Sequence, residues 1–313
     1  MNKLEIPVIF THFNQQPNYL KFALKSAKNL NKTVVLVGDD TNKNFWENHW
    51  NTTQIVSDKY EHFQKSYVHM STNPQQFELF CFKRFFYLEE WMKNKEEKKA
   101  FLLDSDVISF ANYSDQAHTN VISDDNYLAA LMTSKYEGQF QWASSPHFSY
   151  WTSEGLENFT SFCMEAYNNK NIRDKLEQKF KWHIENNKSG GICDMTFLYL
   201  WSQNNPKVAN FSKVMDDITV ENCINVSANY LKDEYQMQLG VKKIIFKNGI
   251  PYGFNKILNK ETRFLCIHCQ GTAKILMRFF YYENLRPFYL VGKLVEIIKT
   301  KTKFFIEEMK QKG

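Results

Sequence analysis

The chain has 313 residues, 43% of them hydrophobic and 16% aromatic, with only 11 glycines, 7 prolines and a formal net charge of +5. That profile excludes a disordered, collagen-like or low-complexity chain and fits one large or two small globular domains. No apolar stretch approaches the length of a membrane span, and a charge this modest gives no basis for a nucleic-acid partner.

Met1 to Pro7 contains no long apolar run, so no cleaved signal peptide is expected. Val8-Ile9-Phe10-Thr11-His12 reads as a strand and Tyr19 to Leu30 as a helix with apolar residues at helical spacing. Thr33 to Gly38 is the next strand, ending on Asp39-Asp40. Strand, helix and strand in this order predict a βαβ unit with parallel pairing. In such sheets ligands gather at the carboxyl ends of strands, which is where Thr11, His12, Asp39 and Asp40 fall. A solvated turn is the equal alternative for Asp39-Asp40.

Asn42 to Thr72 carries no clear periodicity. Asn73-Pro74-Gln75-Gln76 then supplies a helix start, with Asn73 as N-cap and Gln76 in the capping-box position, and the helix runs to about Met92 with apolar residues on most faces. Arg84 lies within this aromatic run and needs an anionic partner, either a carboxylate at a metal site or a ligand phosphate, unless it snorkels to the surface.

Ala100 to Leu103 is a short apolar run behind a charged segment, and it ends on Asp104-Ser105-Asp106. It predicts a buried strand that carries two carboxylates into a cleft. Carboxylates this close repel unless a cation joins them, and oxygen ligands suit Mn²⁺ or Mg²⁺.

Val107 to Phe110 reads as a further strand, and Asn126 to Met132 as a strand or helix. Gln141 to Trp151 mixes aromatic and small polar residues, a composition suited to stacking on a sugar or to an edge strand. Gly155 to Tyr167 and Ile172 to Glu185 read as helices. In Ser189-Gly190-Gly191-Ile192-Cys193-Asp194 the paired glycines would let the backbone approach a ligand, with Asp194 opening the next helix as a catalytic base, an acceptor clamp or a simple N-cap. Asn248-Gly249 marks a hairpin. Phe264 to Ile267 is a strand that delivers His268-Cys269-Gln270-Gly271-Thr272-Ala273-Lys274 at its end.

An apolar strand ending in Asp-x-Asp behind a βαβ start, an intervening Gly-Gly-x-x-Asp, and the late His268, Gly271 and Lys274 in a His-x-x-Gly-x-x-Lys spacing together resemble the metal-dependent glycosyltransferases of the GT-A fold. The likeness is to the glycogenin and lipopolysaccharide-galactosyltransferase family and, more widely, to bacterial polysaccharide-assembly transferases. That family follows its lysine with Pro-Trp, where Ile275-Leu276 stands here.

The resemblance implies an α/β fold with one Rossmann-related mixed sheet flanked by helices, covering residues 1–274, with residues 275–313 as a basic helical extension. It implies a hexosyltransferase that moves a sugar from a nucleoside-diphosphate donor, a UDP-sugar above all, to a saccharide or glycolipid acceptor. Asp104, Asp106 and His268 would hold Mn²⁺ or Mg²⁺, while Gly271 and Lys274 would meet the diphosphate. Thr11 and Asp39 would hold base and ribose, and Asp104 would serve the ribose as an alternative role. Arg84 would face the donor. Asp194 would be a general base in an inverting enzyme, or would orient the acceptor or stabilise the oxocarbenium-like centre in a retaining one.

Two other functions stay open on the same residues. A haloacid-dehalogenase-like phosphohydrolase also places Asp-x-Asp after an apolar strand, and a non-catalytic carbohydrate-binding relic would keep the fold without turnover. Cys266 and Cys269 form a C-x-x-C with no second pair at zinc spacing, so all six cysteines are expected to be reduced and the protein cytoplasmic. From Gly271 onward nine basic residues face four acidic ones among many aromatics. That pattern fits either a helix on the anionic inner face of a membrane, making the protein peripheral, or a plain surface helix.

Overall fold

In the computed structural model residues 5–116, 126–203 and 205–312 are described. The chain builds a mixed α/β fold around a seven-stranded sheet. Its strands are β1 (Val8–Thr11), β2 (Val34–Gly38), β3 (His49–Asn51), β4 (Lys99–Leu103), β6 (Ala129–Thr133), β7 (Ser144–Thr152) and β8 (Val208–Asn210), in the order β3-β2-β1-β4-β7-β6-β8. A short strand, β5 (Val107–Ser109), lies outside this sheet. The expected parallel βαβ start is present: α1 (Leu20–Lys28) links β1 to β2, which pair with Val8 opposite Val34. β4 joins β1 in parallel, and β7 lies antiparallel to both β4 and β6.

The alternation along these strands explains the layering. Val8 and Phe10, Val34 and Leu36, and Phe101 and Leu103 all enter one buried cluster. Their neighbours Ile9, Val35, Val37, Ala100 and Leu102 enter the other. A period of two with both phases apolar describes a sheet covered on both faces. Helices α2 (Asp58–Ser66) and α3 (Gln75–Asn94), with the helices Ser153–Ala166 and Asp194–Ser202, cover the second face. The helix α3 is apolar on most sides because it lies between the sheet and its neighbouring helices, as Phe82, Phe85 and Phe86 show by being buried. On the opposite face α1 packs against β5 and the helix Met277–Tyr281, and the same buried cluster takes in residues of β12 (Ile244–Lys247), β14 (Lys260–Phe264) and β15 (Cys266–His268), with β13 (Ile250–Asn255) paired between β12 and β14. The shorter strands β9 (Ile218–Thr219), β10 (Met237–Gln238) and β11 (Val241–Lys242) complete that region.

Several sequence expectations are refined. The segment Asn42 to Thr72 contains β3 and α2. The N-cap of α3 is Pro74, with an extended backbone, and the Asn73 side chain instead donates to Glu78 Oε1 at 2.9 Å. Ser144–Thr152 is an internal strand whose Tyr150 and Trp151 are fully buried, so the sugar-stacking and edge-strand readings both fail for that part of the segment. The Asn248-Gly249 turn between β12 and β13 has both residues at positive φ (50° and 80°), as a tight two-residue hairpin requires. Asp104 to Asp106 form the turn between β4 and β5, rather than a strand end on which the two carboxylates alternate.

Leu276, Met277, Phe280 and Tyr289 are buried in the same cluster as the sheet face over α1. The helix Tyr289–Lys312 follows, with Val291, Leu294, Val295 and Ile298 exposed at i, i+3/i+4, i+7 spacing. No helix among the described residues is long and apolar enough to cross a membrane.

Candidate active site

The turn after β4 and the end of β15 meet because β5 pairs antiparallel with β15, Val107 opposite His268. This register sets Asp106 beside His268, and the Cys269 amide donates to the Asp106 carbonyl at 2.9 Å. His268 Nε2 lies 3.3 Å from Asp106 Oδ1, and Lys274 Nζ lies 3.1 Å from Asp106 Oδ2. Burial alone would push the Asp106 carboxyl up, but His268 and Lys274 hold it well below the usual range. Burial opposes the charge on His268, yet Asp106 raises the imidazole to about 9.

Oxygen or nitrogen ligand atoms of Asp104, Asp106 and His268 all lie within 4.8 Å of one another. His268 Nδ1 donates to the Asn222 carbonyl at 2.6 Å, which leaves Nε2 to serve as a ligand. Its backbone amide donates to Glu221 Oε2, and Glu221 is itself buried against Lys242 at 2.5 Å, both side chains wholly enclosed. The His147 ring stacks on His268 at 4.2 Å between centroids and 7° between planes, and its Nε2 donates to the Glu221 carbonyl. Hard carboxylate oxygens with one imidazole whose second nitrogen is hydrogen-bonded suit a divalent ion such as Mn²⁺ or Mg²⁺.

Arg84 meets two carboxylates. Its Nη1 donates to Asp104 Oδ1, its Nη2 donates to Asp194 Oδ2 at 2.6 Å, and its Nε donates to the Cys81 carbonyl at 2.9 Å. The guanidinium is 11% exposed, so the snorkelling alternative is excluded. Asp194, also buried, takes the amide of Met195 on its other oxygen at 2.9 Å. Burial pushes its carboxyl up to about 6, with Arg84 opposing the rise.

These groups line one cavity of about 610 Å³, together with Thr11, Gly271 and Lys274. Asp39 does not line it: its carboxylate accepts from the Asn14 amide at 2.7 Å and from Thr41, binding together the loops after β1 and β2. Of the paired glycines, Gly191 closely approaches the chain itself. A Cβ on Gly191, at φ 150°, would stand 2.3 Å from the Met70 carbonyl oxygen, and the Ile192 amide donates to that same oxygen at 2.7 Å.

Three contributors went unread in the sequence, and a fourth, His12, was placed only at the ligand-side end of its strand without a role. His12 lines the cavity, bonds Ser105 Oγ through Nδ1 at 3.1 Å, and has a buried Nε2 without a partner. His147 and Glu221 support His268 from behind. Glu78, on α3 one turn and a half before Arg84, is 1% exposed, and its Oε2 has no hydrogen-bond partner. An acid set between Phe77 and Leu79 gave the same signal as Arg84 did, whereas nothing in the irregular segment around Glu221 distinguished it.

No family model matches the chain, and no curated protein does. Among solved structures it is similar to mouse xyloside xylosyltransferase 1 in its apo form, at 11% identity over 68% of this chain and 86% of that one, with a TM-score of 0.46. It is also similar to the galactosyltransferase LgtC, solved with donor and acceptor sugar analogues, at 13% identity over 66% and 73%, with a TM-score of 0.38. The glycosyltransferase GlyE of Streptococcus pneumoniae matches at 16% identity over 67% and 46%, with a TM-score of 0.38.

Proposed function

We propose that the chain is a metal-dependent glycosyltransferase that moves a sugar from a nucleoside-diphosphate donor, with a UDP-sugar preferred, to a hydroxyl of a saccharide or glycolipid. The observation that carries this reading is the convergence of Asp104, Asp106, His268, Lys274, Arg84 and Asp194 on one cavity. A divalent ion held by Asp104, Asp106 and His268 would supply Lewis-acid neutralisation of the diphosphate. Lys274 contributes a point charge to the same phosphates, and His12 Nε2 is a further free polar contact for the donor. Thr11 lines the same cavity and is assigned to the nucleoside in this reading.

In the transfer, a lone pair of the acceptor hydroxyl forms the bond to the anomeric carbon. The bond from that carbon to the diphosphate oxygen breaks, and its electron pair leaves with the diphosphate. The hydroxyl proton goes to the Asp194 carboxylate in an inverting reaction or to the departing diphosphate in a retaining one. In either case Arg84 ties the position of Asp194 to that of Asp104. The phosphohydrolase alternative needs an aspartate free to attack phosphorus, and here Asp104 is engaged by Arg84 and Asp106 by both His268 and Lys274.

The exposed apolar stripe and basic residues of the tail support peripheral attachment to an anionic membrane, which would suit a lipid-linked acceptor in polysaccharide assembly.

Thermal stability with UDP and Mn²⁺ tests the donor site. At ~100 times the dissociation constant a ligand adds about 2.7 kcal/mol, and Asp106→Ala is expected to abolish that gain. An unchanged shift in Asp106→Ala would sink the metal assignment. Release of inorganic phosphate from small phosphomonoesters would restore the phosphohydrolase, and absence of any turnover with a donor panel would favour the relic.

A further inference from the structure

A second cavity of about 590 Å³ opens beside the first, and the two share Asn73, Glu78, Cys193 and Met195 in their walls. We propose that this second cavity is where the acceptor binds, that the acceptor is a saccharide stacked on the Trp142 indole, and that Glu78 receives a hydrogen bond from one of its hydroxyls. This rests on the glycosyl-transfer reading of the neighbouring site, which it deepens by naming a residue and a ligand class for the acceptor.

Glu78 is the first support. One of its oxygens accepts from Ser71 Oγ at 2.7 Å and from Asn73 Nδ2 at 2.9 Å, while Oε2 is buried and unpartnered in the wall common to both cavities. A buried carboxylate oxygen without a donor is costly, and a ligand hydroxyl at the junction would satisfy it. A phosphate there would meet a like charge instead, so the donor's diphosphate belongs on the Lys274 side and a neutral, hydroxyl-bearing ligand on this one.

The aromatic wall is the second. Phe140 sits edge-on to Trp142 at 5.2 Å and beside Trp182 at 6.3 Å, and Trp142 stacks on Tyr199. Phe140 holds φ at 57°, a left-handed conformation that a bulky residue seldom adopts. Strain of this kind persists where surrounding contacts over-determine the backbone, as ligand clamps do.

Lys179 is the third. Its Nζ is buried and donates to the Trp142 carbonyl at 2.9 Å and to Thr196 Oγ1 at 2.7 Å. No ion pair joins it to a carboxylate among the described residues, so one of its three donors remains for a ligand oxygen. An apolar ring face, hydroxyl donors and ring or hydroxyl acceptors are the complement of this wall, and a sugar offers all three.

The test uses the full chain with lactose, maltose and cellobiose as ligands, followed by saturation-transfer NMR, and with UDP and Mn²⁺ titrated in parallel by calorimetry. The expected result is disaccharide binding by the wild type, weakened roughly tenfold in Trp142→Ala and restored in Trp142→Phe, with UDP affinity unchanged. Glu78→Ala should weaken the disaccharide as well. UDP binding without disaccharide binding, or disaccharide binding indifferent to Trp142, overturns the inference and leaves the donor site standing. Disaccharide binding that depends on Trp142 in a protein that does not bind UDP overturns the donor reading and leaves the saccharide site. Binding of neither overturns both.

Discussion

Arg84 is the residue on which two halves of the site depend, and its removal has a calculable signature. Arg84→Met keeps much of the side-chain volume while deleting the guanidinium between Asp104 and Asp194. Asp194 is 3% exposed and Asp104 27%, so the burden falls on Asp194. Its carboxyl already sits at about 6 against an ordinary 3.8, raised by burial and restrained by Arg84. A carboxyl raised in this way makes the native state hold its proton to higher pH than the unfolded chain does. Its contribution to stability therefore falls as pH rises between about 4 and about 6, and then levels off. Without Arg84 the folded-state value rises further, and the fall continues above pH 6.

Each added unit is worth about 1.4 kcal/mol, so the variant should lie close to wild type at pH 5 and fall behind by up to about 3 kcal/mol at pH 8. That agrees with the roughly 3–5 kcal/mol lost when one partner of a buried ion pair is deleted. Urea denaturation at the two pH values measures it. The double variant Arg84→Met/Asp194→Asn should recover most of the pH-dependent part, because no buried carboxylate is then left unpaired. A penalty equal at pH 5 and pH 8, or a double variant no more stable than the single one, would refute the idea that Arg84 acts by keeping Asp194 ionised.

Lys242→Met should cost roughly 3–5 kcal/mol, since Glu221 stays buried without its partner, and adding Glu221→Gln should recover part of that loss; circular dichroism melts of the three variants decide it. The double variant should also weaken Mn²⁺ binding by about 10-fold or more, because the Glu221 carboxylate orients His268 through its backbone amide. For the tail, deletion of Leu294–Gly313 is expected to abolish binding to vesicles containing phosphatidylserine while leaving neutral vesicles unaffected. Equal binding with and without the segment would remove the membrane proposal.

The sheet was legible because its strands carry two interleaved apolar phases, and a period of two survives without knowledge of partners. Asp-x-Asp was legible as a carboxylate pair for a similar local reason, since charge at the end of an apolar run needs a counter-charge. His268 and Lys274 were named as the company of that pair only through the likeness of their spacing to a family motif, not by any local pattern. The place of His268 beside Asp106 depends on the register of β5 against β15, two short strands far apart in the chain with no pattern that specifies their pairing. Arg84 announced that it needed an anion, and the structure supplies two at once. The loop that carries Trp142 opens the segment, Gln141 to Trp151, that read as either a sugar-stacking or an edge strand. Its aromatics do face a cavity, but Tyr150 and Trp151 a few residues on serve the core, because the chain enters the centre of the sheet at Ser144.

The charge pattern of the first cavity bears on how donor and metal would enter it. Asp104 and Asp194 share Arg84, while Asp106 is held by both Lys274 and His268, so the ionised groups nearest the reacting centre are already paired. A divalent cation arriving alone must displace or crowd Lys274, and a diphosphate arriving alone faces three carboxylates. If the two arrived together, Asp106 would hold the cation in place of the ammonium and Lys274 would be free to meet the phosphates, so each ligand would remove the obstacle to the other. Binding should then be strongly coupled, by about 5–150-fold as typical linked sites are, and equally in both directions. Calorimetric titration of UDP with Mn²⁺ and with chelator gives one ratio, and titration of Mn²⁺ with and without UDP gives the other. Lys274→Ala should tighten Mn²⁺ alone, weaken UDP and shrink the coupling, because the ammonium no longer has to be exchanged. A UDP affinity indifferent to chelator would show that Asp106 keeps Lys274 throughout and that the carboxylate pair has a structural task instead.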